Sequence, residues 1–263
     1  MKKYKRIFSN AAQAVLAYRA NFMFEIFSRA LGFFVIVYLW KAVYAQSGNI
    51  QGFTFNELLT YFLLTELLRN LLEAKTFNEI RDEVRDGKIA NYLLLPVKSL
   101  YIYFARTLAR SVNTFFIFVI PVILLIVFVN FFVGPASLMH FGLAVLMTII
   151  AIFMSLFLFT LFGSVAFWTV ETGNIIWAFN FIVMLLAGKL IPVQFLPPII
   201  RNVINLTPFV SLFNLPASIY LGKIHGMDLV FHFCVQGMWL MVLYVVLVFV
   251  WNKGLKRLEL VGN

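Results

Sequence analysis

The chain has 263 residues, 62% of them hydrophobic and 12% charged, with a formal net charge of +10 and a mean hydropathy of +0.93. A soluble domain is about half apolar and about a quarter charged, so this composition excludes one and predicts helices that cross a bilayer. The basic excess sits beside apolar runs, where the positive-inside rule accounts for it, and nucleic acid is not an expected partner.

In chain order, the first twenty residues place Ile7, Ala11, Val15 and Tyr18, with Phe22 beyond them, on one helix face. That spacing predicts an amphipathic helix over 1–20 lying on the membrane surface, although a plain extension of the first span fits it too. The first span is expected over 21–44, where Glu25 and Arg29 are four apart and can pair on one face. The loop QSGNIQG leads to a second span over 53–72, which carries Glu66 and Arg69 followed by Glu73. Ionisable groups in a span are functional candidates by default, and pairing between Glu66 and Arg69 is their structural alternative.

Nine of the thirty-two charged residues then fall within the sixteen positions from Glu73 to Lys88. Ile80 and Val84 are four apart and surrounded by Arg81, Asp82, Glu83, Arg85 and Asp86, which predicts a short amphipathic helix ended by Gly87. The following KIANYLLL returns towards the membrane and stops at Pro96. By composition alone, a solvated loop that anchors topology fits the stretch 73–99 equally well.

The third span is expected over 112–133, kinked at Pro121, and the fourth over 139–162. No Asp, Glu, Lys or Arg occurs between Ser111 and Val170. The fifth span is expected over 174–188. Residues 188–223 hold Pro192, Pro197, Pro198, Pro208 and Pro216, five of the eight prolines, yet stay apolar. Apolar stretches of about ten residues broken by proline suggest short re-entrant helices, tolerated at membrane depth only where protein packs around them or they line a cavity. A hydrophobic cap lying flat on the outer leaflet is the alternative. The sixth span is 229–252 and contains the only cysteine, Cys234, expected in the core; a lone cysteine excludes an internal disulfide.

The N-terminus, the 73–110 region and the C-terminus hold fourteen of the twenty-one basic residues. All three lie on one side of a six-span chain, which predicts a multi-pass protein with both termini cytoplasmic. No internal repeat or soluble domain interrupts residues 1–263, so the fold class is an all-α integral membrane protein with one transmembrane domain. The sequence has no phosphate-binding Gly-x-x-x-x-Gly-Lys-Ser/Thr loop, no cluster of metal-ligating residues and no nucleophile elbow. Neither a catalytic nor a metal site is expected, and no cofactor is bound by this chain.

The stretches IRDEVRDGKIANYLLLPV, GKLIPVQFLP and KGLKRLELVGN, in that order and spacing, resemble the membrane permeases of type-2 ATP-binding-cassette (ABC) transporters, in the six-helix branch. The resemblance covers essentially the whole chain. It implies a plasma-membrane permease that pairs with a second permease chain, identical or related, above two cytoplasmic ABC ATPase subunits that carry ATP and Mg. Residues Ile80, Arg81, Asp82, Glu83, Val84, Arg85, Asp86 and Gly87 would match the family's coupling helix, with Ile80 and Val84 anchored in a groove of the ATPase. Gly188, Ile191, Pro192, Pro197 and Pro198 would match the outer segment that gates the exit. Leu190 and Ile191 stand where the family often has an aromatic residue before its first proline. The expected function is export of an amphipathic or lipid-like substrate along the permease interface, in contact with membrane lipid. The alternative is an ATP-independent secondary transporter or channel, which would place ionisable groups deep in several spans; spans three to six offer almost none.

Overall fold

The structure, a computed structural model, describes residues 19–46, 48–72, 76–93, 96, 98–129, 131–169 and 173–261. The expected surface helix over 1–20 falls almost wholly outside these residues, as do Glu73 and the side chains of Glu25 and Pro121. The described regular structure is helical apart from one bridge between Ile50 and Phe53, and the chain divides into two compact units, Met1–Phe55 and Asn56–Asn263.

In the first unit, helix α1 (Arg19–Tyr44) contains an apolar stretch, Phe27–Tyr44, long enough to cross a membrane. After it, Ile50 and Phe53 exchange backbone hydrogen bonds of 3.1 and 3.0 Å around Gln51 (φ 50°) and Gly52 (φ 82°). Two successive residues at positive φ make a tight two-residue turn, and glycine at the second position removes half of the steric cost. The Tyr44 hydroxyl fastens the turn to the helix by donating to the Phe53 carbonyl at 2.9 Å.

The second unit contains α2 (Phe55–Leu72, from its second residue), α3 (Thr76–Arg85), the single turn α4 (Ala90–Leu93), α5 (Ser99–Val129), α6 (Leu138–Gly163), α7 (Gly173–Leu186), α8 (Pro198–Asn205), α9 (Asn214–Tyr220) and α10 (Gly226–Val261). A helix thus occupies each of the six expected span positions. Among the described residues three stretches are long and apolar enough to span: Phe27–Tyr44, Leu138–Phe167 and Gly226–Leu258. Helix α7 has 14 residues, about 21 Å at 1.5 Å per residue, shorter than a hydrocarbon core. Helix α5 starts thirteen residues before the expected 112, because Arg106 and Arg110 in its first half face Glu79 and Glu83 of the same chain and not lipid. It continues through Pro121.

Helix α6 is the centre of this unit. Its buried Ala144, Met147, Ala151 and Met154 follow helical spacing, and from Met154 to Thr160 every residue is buried. A helix enclosed on all sides has neighbours all round, here α3, α9 and α10. Ser137 caps its start, accepting a hydrogen bond from the His140 backbone at 3.2 Å. Cys234 was expected in the core; it is exposed on α10, since its side of that helix meets none of the packed neighbours.

Candidate functional site

The charged segment folds as α3, longer at its start than expected. Its residues Thr76, Phe77 and Ile80 are buried, and Ile80 is 0% exposed. Phe77 and Ile80 lie against Gly163 at the end of α6, where a Cβ would come within 2.8 Å of Ile80 Cδ1 and 3.3 Å of the Phe77 Cα. Glycine permits that approach. This corrects one expected role: Ile80 is covered by its own chain and is not available to a groove on another protein. Val84 packs at the edge of the same core. Gly87 (φ 70°) ends the helix as expected, because a left-handed residue suits glycine there.

The acidic residues of α3 divide between two faces. Glu79 and Glu83 face α5. Arg106 donates to Glu83 Oε1 at 2.9 Å and to the Tyr92 hydroxyl at 2.8 Å, and lies 3.7 Å from Glu79 Oε2. Tyr92 donates to Glu83 at 3.1 Å, Tyr103 donates to its other oxygen, and Arg110 pairs with Glu79. The Arg106 guanidinium sits 5.6 Å from the ring centroids of both Tyr92 and Tyr103, within cation–π range. Burial, and then the bond to Glu83, push the Tyr103 phenol well above its ordinary pKa, so it remains a donor to the carboxylate throughout the physiological range. Thr76 and Thr107, with hydroxyls 2.6 Å apart, close the same seam. Tyr103, Arg106 and Arg110 recur at three and four residues, one helix face; that spacing is the sequence signal for this partner surface, hidden because Arg106 and Arg110 read as topology charges.

The opposite face of α3 is half-buried at Arg81 and Asp82 and exposed at Arg85, as is the turn after it. Arg81 reaches Asp82 at 2.9 Å, Arg85 reaches Asp86 at 3.5 Å, and Lys88 reaches Asp86 at 2.9 Å. The Lys88 ammonium, by its hydrogen bond and charge, holds the Asp86 carboxyl below its usual range. Solvent-screened pairs of this kind contribute little to stability, so these charges can change partners at low cost.

On α2, Arg69 pairs with Glu66 at 2.5 Å. The expected partnership of Glu25 with Arg29 lies outside the described side chains.

The proline-rich connection splits into an exposed and a buried half. Gly188 takes a left-handed φ of 74°, and a Cβ there would stand 2.8 Å from both the Tyr61 hydroxyl and Asn214 Cβ. The Tyr61 hydroxyl bonds the Gly188 carbonyl at 2.6 Å and Asn214 Oδ1 at 3.1 Å, and Asn214 Oδ1 also accepts from the Val193 backbone at 2.9 Å. Pro192 lies buried in this knot and Ile191 beside it is exposed. Pro197 precedes α8 and Pro198 is its first residue, where a missing N–H costs nothing. Beyond α8, every residue from Val210 to Leu221 is buried, with α9 packed on α6. Asn214→Ala is expected to destabilise by about 2 kcal/mol, because it strands the buried Val193 N–H. Thermal unfolding in detergent measures this, and Tyr61→Phe added to it should cost little more, since both act on one knot.

A family model described as ABC-2 family transporter protein matches residues 30–262, which takes in α3, its seam on α5 and α6, and the proline-rich connection. No curated protein matches the chain. With the match running over nearly its whole length, the chain belongs to the ABC-2 transporter family as a membrane permease component, a membership that implies an ATPase partner.

Proposed function

We propose that this chain is the permease of an ATP-driven exporter in the plasma membrane, spanning six times through α1, α2, α5, α6, α7 and α10 with both termini cytoplasmic. It pairs with a second permease chain, identical or related, and an amphipathic or lipid-like molecule passes along their interface. Two copies of a cytoplasmic ABC ATPase, holding ATP and Mg, dock beneath.

The observation that carries this reading is the two-faced α3. Its inner face is fixed to α5 by the Glu83–Arg106 cluster and to α6 by Ile80 against Gly163, while Arg85 (58% exposed) and Lys88 (63% exposed) point outwards. A push on the exposed face therefore moves α5 and α6 directly. Because α6 also packs on α9, the same rigid helix reaches the proline-rich connection, which opens and closes the exit.

The test is affinity purification of the tagged chain from native membranes in mild detergent, scored for a co-purifying ATPase. Arg85→Glu combined with Lys88→Glu is expected to lower its recovery about tenfold or more, the loss typical of interface hot spots, while the melting temperature stays close to the parent's. Ile80→Asp should instead unfold the chain. Full ATPase recovery with the charge-reversed pair would remove the docking assignment. A folded preparation that brings no ATPase at all would overturn the ATP-driven reading.

A further inference from the structure

The end of α10 remote from the charged segment borders a cavity of about 490 Å³ shared with α8 and the turn at Val193. That volume is in the range of a small-molecule site. His232, which lines it, is nineteen residues from Trp251, about 28 Å along the helix. Trp251 is the residue that packs on Phe167, beside α3. The cavity and the charged segment thus lie towards opposite ends of one spanning helix.

Its lining mixes apolar residues with polar groups, some of them without a hydrogen-bond partner, and the Asp228 charge acts on the neighbouring His232. Arg201 on α8 and Asp228 on α10 carry opposite charges into the same cavity, and neither makes an ion pair or side-chain hydrogen bond among the described residues. His232 is only 6% exposed, yet its Nδ1 has no hydrogen-bond partner; nor does the buried Oε1 of Gln194. Buried polar atoms are nearly always satisfied, so unpaired ones around a cavity point to a ligand. Lys223, also on the lining, is already engaged by Glu57 at 2.7 Å. That leaves Arg201 as the lining cation open to a ligand.

Helix α8 indicates what that ligand is. Ile199 (81% exposed) and Val203 (62% exposed) stand out on one side, while Arg201, Asn202 and Asn205 line the cavity on the other. A short helix with exposed apolar residues opposite a polar face sits at the level of lipid headgroups. Two unpaired opposite charges match a ligand that carries both. A planar guanidinium suits phosphate oxygens, and a carboxylate suits an ammonium group. We propose that this cavity binds the headgroup of a zwitterionic aminophospholipid, its phosphate on Arg201 and its amine on Asp228. The inference rests on the membrane placement in the reading above, and not on the ATPase or the direction of transport.

The purified chain would be titrated in detergent micelles with phosphatidylethanolamine or phosphatidylglycerol, and lipid retained per chain counted by native mass spectrometry. Phosphatidylethanolamine is expected to bind about tenfold tighter than phosphatidylglycerol. Arg201→Gln and Asp228→Asn should each weaken it about tenfold or more, the loss of one charge-assisted hydrogen bond, whereas Asp228→Glu should retain most of the affinity and so exclude simple misfolding. Equal affinity for the two lipids, or an undiminished preference in both charge-removing variants, would overturn the proposal. Soluble phosphoethanolamine competing as well as the whole lipid would also overturn it, by showing that the site takes a free zwitterion and not a membrane lipid. The readout needs no ATPase, so it stands or falls separately from the co-purification experiment.

Discussion

Gly254→Val is expected to destabilise the protein by about 3 kcal/mol, the upper part of the usual range for overpacking a core. A Cβ at Gly254 would overlap the Phe167 ring. That ring has nowhere to go: it is 4% exposed, set edge-on against Trp251 at 5.2 Å and against Trp168 at 6.0 Å. Trp251 in turn packs on Tyr103 at 5.3 Å and donates to Ser99 Oγ at 3.2 Å. Displacing Phe167 therefore disturbs the contact of α10 with the start of α5 as well as the 3-10 turn (Ser164–Phe167) that follows α6. Thermal unfolding in detergent measures the loss. Adding Phe167→Ala should recover part of it, because the two changes share one space. Gly237→Ala is the control: nothing lies within 4 Å of its Cβ position, and it should be close to neutral. A double variant no better than the sum of its parts would show that Phe167 is not the obstacle.

Arg106→Met is expected to cost about 2 kcal/mol, below the range for stranding one half of a fully buried pair, because the Arg106 side chain is 33% exposed. The methionine keeps much of the side-chain volume but leaves Glu83, 14% exposed, without its cation, and Glu79, 17% exposed, with Arg110 alone. Glu83→Gln added to Arg106→Met should restore stability in part, since the orphaned charge is gone, one tyrosine can still donate to the amide oxygen, and the other can accept from the amide nitrogen. If α3 drives the spans through this cluster, that double variant will still co-purify the ATPase but show weaker transport per ATP hydrolysed. Stability as low in the double variant as in Arg106→Met would mean that the unpaired carboxylate is not the source of the loss.

Much of this architecture is legible in the residue order. Uncharged runs locate the long helices, because a chain without water must satisfy its backbone within each segment. Gly87 marks a helix end where the left-handed backbone favours glycine. The start of α5 was hidden for the opposite reason: Arg106 and Arg110 look like loop charges until Glu79 and Glu83 are placed beside them. The split of residues 188–223 was also hidden. Proline spacing announces short helices in both halves, but only packing on α6 separates the buried α9 from the exposed α8.

The sequence by itself determined the membrane class, the all-helical fold, the family resemblance and the presence of an amphipathic α3. Those properties depend on local composition and on spacing within one helix, which a linear reading contains. The tertiary structure decided which way α3 faces. Amphipathic spacing shows that Ile80 and Val84 form an apolar stripe, but not what covers it. The cover is Gly163, eighty-three positions further along the chain. The same holds for Arg201 and Asp228, twenty-seven positions apart and joined only by the cavity between their helices. Contacts at such separations follow from how helices pack, and residue spacing within a segment carries no record of them.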